Sequence, residues 1–362
     1  MKFSATIPAP DFVGAIRTVQ KAMKPRNKIP VLNTIFMHID HDNQEITLMG
    51  TDLDVRISTK VPAKVQKARP SNAFALFEPK PVIEFLRGEK GDVEVGHNVE
   101  GGVIFTANNT MYSNRIADPV ADWPAWDGPF NPRTRKVPTD ELHQALRHTL
   151  PFISTDETRY YLNGVYMHSH DGKLRAVSTN GHCAAIYDTT QKWSYGPVIM
   201  HVKAAKIIAD IAKKATGESA AVWVTRDQSK FVIGDTTIWC KNIDGTYPDY
   251  FRIIPDIPEN PPIYAPVSMA RIAGFPKDNK AVMVGIKFDP EMGVATAIVK
   301  HNQYSTILSP GARGPAFGLG ARYVQAFGKL YPEFELKGTD PKDPLVATPD
   351  PKFMWLVMPR LI

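Results

Sequence analysis

The sequence predicts an α+β protein built from three similar units, each with two helices packed on antiparallel sheets. Three observations carry that prediction. The order strand, helix, strands, helix, strands recurs across residues 1–127, 128–255 and 256–362. A repeat with a period above about 100 residues means duplicated domains rather than a solenoid. A chain of 362 residues is also too long for one ordinary core. Finally, the exit from the first unit, Asp118 to Trp126 (DPVADWPAW), is echoed by Asp244 to Pro255 (DGTYPDYFRIIP) at the exit from the second. Each has an acidic residue, an aromatic before Pro, then another aromatic.

In the first unit, Phe3 to Ile7 is a short alternating strand. Asp11 is placed to cap a helix whose apolar face is Phe12, Ala15, Ile16, Val19 and Met23. Lys21, Lys24, Arg26 and Lys28 crowd its C-terminal end, where the helix dipole favours cations. Strands are expected at Leu32 to Ile39, Glu45 to Met49 and Val55 to Thr59. Pro79 opens a second helix, Val82 to Arg87, and Gly88 closes it. Val93 to Val95, Val103 to Thr106 and Met111 to Ile116 complete the strands.

In the second unit, Thr139 is placed to cap a helix running from Glu141 to Leu150. A hairpin follows: Leu162 to Met167, a turn at Asp171-Gly172, and a return at Leu174 to Ser178. The small and polar cluster Thr179-Asn180-Gly181-His182 lets the chain change direction again. Lys203 to Ala215 is the clearest amphipathic helix, with Ile207, Ile208 and Ile211 clustered on one side. Strands at 221–224, 231–234 and 237–241 close the unit. The third unit repeats the order least clearly. It has a helix near Val267 to Phe275, strands at 282–288, 293–299 and 303–308, a helix at Ala321 to Leu330, and strands at 334–337 and 354–358.

Composition excludes several classes. Hydrophobic content of 43% and charged content of 22% are those of a soluble globular protein. No apolar run is long enough to span a membrane, and Met1-Lys2-Phe3 does not open a signal peptide, so the cytoplasm is expected. The two cysteines, Cys183 and Cys240, have no CxxC spacing, which argues against a disulfide framework or a zinc site. Asp52 and Asp54 share a face but have no metal-ligand spacing around them. There is no P-loop, dinucleotide fingerprint or GxSxG, so neither cofactor nor metal is expected. His182 and Cys183 are adjacent on extended chain and point to opposite faces, so the pair is a poor base and nucleophile. Catalysis is therefore not expected. A net charge of +6 permits a polyanionic partner.

R-Y-Y-L-N-G at 159–164, followed one strand later by T-N-G-H-C-A-A at 179–185, resembles a signature of the bacterial DNA polymerase III beta subunit family, the DNA sliding clamps. The family pattern there is R-Y-Y-L-N-G and T-D-G-H-R-L-A. Ile29-Pro30-Val31-Leu32-Asn33, Thr51-Asp52-Leu53-Asp54, Tyr247-Pro248-Asp249-Tyr250 and Val357-Met358-Pro359 resemble further anchors in family order. The chain departs from the family at TNGHC, where a carboxylate and a guanidinium are lost together. It also departs in its MPRLI ending and its basic charge, as a divergent member would.

The resemblance implies a non-catalytic processivity factor. Two copies would join head to tail into a ring-shaped homodimer, with helices lining the hole around double-stranded DNA. Cations on or beside those helices would touch phosphate without reading sequence: Lys24, Arg26, Lys28, Lys80, Arg147, Lys203 and Lys206. A hydrophobic pocket would take short linear motifs from a DNA polymerase and a clamp loader. Carried over position by position, it is lined by Leu162, Thr179, Gly181, His182, Pro248, Arg252, Ile253, Val346, Leu356, Met358 and Pro359. Cys183 would stand at its rim. By resemblance, the dimer contact involves the edge strand around Met111–Asn114 and the helix around Arg271–Phe275. The competing readings are a solvated basic helix face and plain core residues. At the level of function, the alternative is a clamp-like accessory protein that stays monomeric or serves another partner, such as a transcription complex. The expected location is cytoplasmic and nucleoid-associated, with no membrane contact.

Overall fold

The computed structural model describes residues 4–66, 72–97, 102–114, 119–125, 134–259, 263–268, 285–299, 302–307, 314–340 and 342–359. The chain divides into two compact units, Met1–Asp140 with Asp210–Asn242, and Glu141–Ala209 with Ile243–Ile362. Every strand pairing among the described residues is antiparallel.

The first unit holds a five-stranded and an eight-stranded sheet. The smaller has the order Lys64–Val65, Ser4–Pro8, Asp92–His97, Val103–Ala107, Thr110–Asn114. The larger runs Arg135–Pro138, Ser219–Val224, Gln228–Ile233, Thr236–Lys241, Val55–Pro62, Glu45–Thr51, Ile35–Asp40, Asn72–Phe77. Helix α1 (Ala9–Gln20) buries Phe12, Ala15, Ile16 and Val19. Phe12 meets Phe77 of the larger sheet and Phe105 of the smaller at 6.1 and 6.0 Å, so the core lies where both sheets meet α1. At Gly50 a Cβ would stand 2.6 Å from the Val19 carbonyl oxygen, so only glycine lets the helix sit this close to the strand. Helix α2 (Pro79–Phe85) starts at the expected proline, and Gly88 takes φ +78° just beyond it.

Two expectations shift here. Helix α1 begins at Ala9, after Pro8, so Asp11 lies in its first turn and is not the cap. Pro10 suits a first turn because its missing N–H would be unpaired there anyway. The helix also ends at Gln20, which leaves Met23 and the basic cluster on the following loop.

The larger sheet carries a structural junction. Thr236–Cys240, from the middle third of the sequence, pairs with Val55–Thr59 from the first. Across it, Arg56 lies over Trp239 at 5.3 Å, and beside it Lys230 lies over Trp223 at 4.8 Å and over Trp239 at 5.3 Å. These cation–π contacts contribute about 0.5–1 kcal/mol each.

The second unit repeats the arrangement. Its eight-stranded sheet runs Val198–His201, Gly164–His170, Lys173–Thr179, Cys183–Lys192, Phe353–Val357, Leu345–Asp350, Glu333–Gly338, Ile263–Ser268. A four-stranded sheet runs Asn302–Ile307, Val294–Val299, Gly285–Asp289, Phe317–Gly320. The junction here pairs Cys183–Tyr187 with Phe353–Val357. Helices α3 (Thr139–Thr149), α4 (Val202–Lys214) and α5 (Ala321–Gly328) complete the described helices. Trp355 is fully buried, stacked on Phe327 of α5 at 4.2 Å and 5.9 Å from Phe152.

The hairpin forms as expected. Asp171 and Gly172 both take positive φ, +51° and +73°, in a tight turn between His170 and Lys173. Its first strand starts at Gly164, because Leu162 ends a 3-10 turn, Glu157–Leu162. A Cβ at Gly164 would lie 2.4 Å from the Met200 carbonyl oxygen, which accounts for the glycine of RYYLNG. Thr139 does not cap α3. It is the helix's first residue, and its hydroxyl donates to the Ala215 carbonyl at 2.6 Å. Val267 and Ser268 lie in a strand rather than a helix, and residues 269–284 lie outside the described set.

Candidate functional site

The turn after the hairpin builds the site. Thr179 Oγ1 donates to the Cys183 carbonyl at 2.8 Å, and Asn180 Oδ1 accepts from the backbone N–H of His182 and Cys183 at 2.9 and 3.2 Å. Gly181 takes φ +86°, and a Cβ there would meet the Arg159 guanidinium at 2.7 Å. This closes T-N-G-H into a fixed loop whose next residue enters the sheet junction. Met358 donates its backbone N–H to the His182 carbonyl at 2.9 Å, which ties the end of the last strand to the loop.

Beneath lies an apolar cluster. Leu162, Val346 and Leu356 share it with Val177, Ala184, Ile186, Ile199, Tyr247 and Tyr250. The ring of Tyr166 stacks on Tyr247 at 4.6 Å with an interplanar angle of 2°. The expected pocket residues thus fall into two sets. Leu162, Val346 and Leu356, with Thr179, are buried. Gly181, His182, Pro248, Arg252, Ile253 and Met358 are exposed, and Pro359 is half-buried. Among the exposed set, Ile253 and Met358 present apolar side chains at 42% and 41% exposure. Phe251 and Tyr160 are also exposed apolar groups in this unit, at 48% and 54%. Sequence reasoning had not singled them out, although Tyr160 sits inside the quoted RYYLNG anchor and Phe251 directly follows YPDY.

Cys183 is not a rim residue. Its side chain is buried at 4% exposure, because Cys183 opens the strand that pairs with Phe353–Val357. Burial pushes the thiol up to about 12, so it stays protonated. A thiolate nucleophile is not available there. Among the described residues no three His, Cys, Asp or Glu side chains gather as a metal site, and no helix is long and apolar enough to cross a membrane.

The basic residues are placed in both units. In the first, Lys24, Arg26 and Lys28 are exposed on the loop after α1, and Lys80 is exposed on the first turn of α2. That loop is fixed: Asn33 Oδ1 accepts from the Asn27 N–H at 2.7 Å, and Arg26 takes φ +54°. In the second, Arg147 is exposed on α3, and on α4 Lys206 is exposed while Lys203 is half-buried.

Two buried histidines set a pH dependence in the second unit. His148 Nδ1 faces the Gln144 carbonyl at 2.7 Å, so that nitrogen carries the proton and Nε2 accepts from the Tyr331 hydroxyl at 3.1 Å. His168 does the same with the Ser169 carbonyl and the Tyr250 hydroxyl, both at 2.9 Å. Burial holds both pKa values below the ordinary histidine range. The unfolded chain therefore binds more protons as pH falls below about 6.5, and stability drops there until the folded-state values are passed. The expected result is a melting temperature several degrees lower at about pH 5.5 than at about pH 7.5. Thermal unfolding followed by circular dichroism checks this. A flat or rising profile would contradict the assignment.

Comparison with known proteins shows the family and the fold. Residues 1–108 match the family model for the DNA polymerase III beta subunit, N-terminal domain, and residues 136–249 match that for its central domain. The chain is 27% identical to the beta sliding clamp of Caulobacter vibrioides over 378 residues, covering 98% of each. It is 30% identical to that of Rickettsia felis over 253 residues, covering 67% of this chain and 64% of the relative. The Caulobacter crescentus beta sliding clamp superposes with a TM-score of 0.86 at 23% identity, over 99% of each chain. A sliding clamp from Bartonella birtlesii bound to griselimycin gives 0.86 at 19% identity, over 99% and 100%. These structural likenesses establish the fold, and the two family models together span more than half of the sequence. The chain belongs to the DNA polymerase III beta subunit family, the beta sliding clamps.

Proposed function

We propose that two copies of this chain close into a ring around duplex DNA and tether a replicative polymerase to it, without bond-making chemistry. Three domains, 1–127, 128–255 and 256–362, would repeat around that ring. The observation that carries the reading is how the chain joins its thirds. Each junction is made by sheet pairing, Thr236–Cys240 with Val55–Thr59 and Cys183–Tyr187 with Phe353–Val357. Among the described residues, Thr110–Asn114 and Asn302–Ile307 each end a sheet, as do several other strands. Thr110–Asn114 exposes Met111 at 65%, and Asn302–Ile307 exposes Ile307 at 67%. Open apolar edges invite pairing with another chain. Joining one protomer's edge to the other's gives a heterologous contact that closes after two copies. The expected contact around Arg271–Phe275 lies outside the described residues.

Lys24, Arg26, Lys28, Lys80, Arg147, Lys203 and Lys206 would meet phosphate. Their placement on exposed loops and helix faces supports this. Such contacts are individually weak and exchangeable, which permits sliding. Tethering then acts through effective concentration: a held polymerase rebinds before it diffuses away. The work would take place in the cytoplasm, on the nucleoid.

The groove above Leu162, Val346 and Leu356 would take Leu and Phe anchors of partner peptides, with Met358 and Ile253 as adaptable walls. Met358→Ala is expected to weaken a fluorescent clamp-binding peptide about tenfold while the dimer mass stays unchanged. Anisotropy titration beside light scattering checks it. Unchanged peptide affinity would remove the groove assignment.

A further inference from the structure

A cavity of about 480 Å³ opens in the second unit where α3, the chain just after α5 and the turn at 350–352 meet. Arg147, His148, Tyr187, Tyr331, Asp350 and Lys352 line it. Its size is that of a small-molecule site. Much of the wall is aromatic and fixed. His148 stacks on Tyr187 at 4.9 Å and lies 5.6 Å from Tyr331 and 4.7 Å from Phe353. Tyr331 stacks on Phe353 at 5.6 Å, and its hydroxyl is held by His148 Nε2 at 3.1 Å. Two charges of opposite sign complete the lining, and neither is matched inside the protein. Asp350 Oδ1 accepts from the Lys352 backbone N–H at 2.7 Å, but no cation pairs with the carboxylate among the described residues. Lys352 Nζ goes to Glu141 Oε1 instead, at 2.7 Å. Arg147 is exposed on α3, and no carboxylate pairs with its guanidinium among the described residues.

We infer that this cavity binds a guanine nucleotide, with Asp350 on the edge of the base and Arg147 on the phosphate. A ligand that answers the whole lining must be flat and apolar on its faces, offer donors to a carboxylate, and carry an anion. A nucleobase supplies the flat faces, which aromatic walls accept whatever the base. The carboxylate selects among the bases. Guanine sets its N1–H and its N2 amino group side by side, two donors for two acceptor oxygens. Adenine and cytosine place a ring nitrogen acceptor beside their one amino group, and thymine or uracil flanks its N–H with two carbonyls. Each of those edges turns a lone pair toward the carboxylate. The phosphate then supplies the anion for Arg147, in the geometry a guanidinium favours. Neither the ring nor the peptide groove enters into this. Arg147 is also one of the cations placed on duplex phosphate, so Asp350 is the residue that separates the two uses.

Isothermal titration of the full-length protein with guanosine monophosphate tests it, with adenosine monophosphate and guanosine as controls. The guanine nucleotide is expected to bind about tenfold more tightly than the adenine nucleotide. Guanosine, which lacks the phosphate, should bind about three- to tenfold more weakly than its monophosphate, and added salt should narrow that gap. Asp350→Asn keeps an oxygen for the Lys352 N–H, so the turn should hold and the melting temperature should stay unchanged. It replaces one of the two acceptors by a donor, however, and should bring the guanine nucleotide down to the affinity of the adenine nucleotide. Arg147→Gln should weaken both nucleotides alike and leave guanosine unchanged. A thymidine oligonucleotide with one central deoxyguanosine distinguishes the source of the nucleotide. Competition by that single strand identifies an unpaired residue of a strand, and failure to compete identifies the free nucleotide; either result accords with the site. No saturable binding of guanosine monophosphate, equal binding of the two nucleotides, or a guanine preference that survives Asp350→Asn overturns the inference.

Discussion

Met111→Asp is expected to convert the protein from dimer to monomer. Met111 stands 65% exposed on Thr110–Asn114, the outermost strand of the five-stranded sheet. In the proposed ring that side chain is covered by the partner's edge strand, Asn302–Ile307. Losing a buried methionine costs about 1.5–3 kcal/mol. Burying an unpaired carboxylate in its place costs about 3–5 kcal/mol more. The ring contains this contact twice, so the dimer loses upwards of about 9 kcal/mol, many powers of ten in dissociation constant. The isolated chain should lose little, because an exposed side chain carries little of its stability. Light scattering should show the mass fall from about twice 40.2 kDa to that of one chain, with the melting temperature nearly unchanged. Ile307→Asp should behave the same way. A dimer that persists at micromolar concentration in both variants would place the contact elsewhere.

Trp355→Ala should be among the most damaging single changes to the second unit. Trp355 has no exposed surface, stacks on Phe327 at 4.2 Å, and meets Phe334 edge-on at 6.2 Å. Deleting so large a buried ring costs about 3–5 kcal/mol, of which the cavity left behind is a part. The residue also pairs with Ala185 across the junction strands. Leu356 follows it in the chain, so groove binding should weaken along with stability. Trp355→Phe keeps most of the volume and should lose less than about 2 kcal/mol. Denaturant unfolding distinguishes the two variants. Equal, small losses in both would mean that the stacking around this ring contributes little.

Local chemistry made some parts of the fold legible in advance. Asp171-Gly172 announced a hairpin because both residues tolerate positive φ. Pro79 and Gly88 bracketed α2 for equally local reasons. Other strands escaped notice. Leu345–Asp350 contains Pro349 and ends in an acidic residue, so its pattern reads as a loop. It is a strand because Val346 pairs with Lys337 on one side and Leu356 on the other. Its partners are distant in sequence, and local propensity carries no trace of them. The limits of α1 moved for a similar reason, since packing at Gly50 sets where that helix lies.

The candidate site was legible to a similar degree. Motif resemblance singled out the loop and Leu162, Val346 and Leu356, which share one buried cluster, because the cluster residues are apolar and the loop residues are small. It misplaced Cys183, whose burial depends on a strand more than 150 residues further along, as about half a chain's length separates Cys183 from Val357.

The central claim is enclosure of a duplex, and retention on DNA of different topology tests it most directly. The protein, loaded by an ATP-driven loader, is followed on a nicked circular duplex and on the same DNA cut once. The account predicts stable retention on the circle and rapid loss from the linear form through its open ends. Equal retention on both would mean that the protein holds DNA by charge alone, and the ring would be the wrong description.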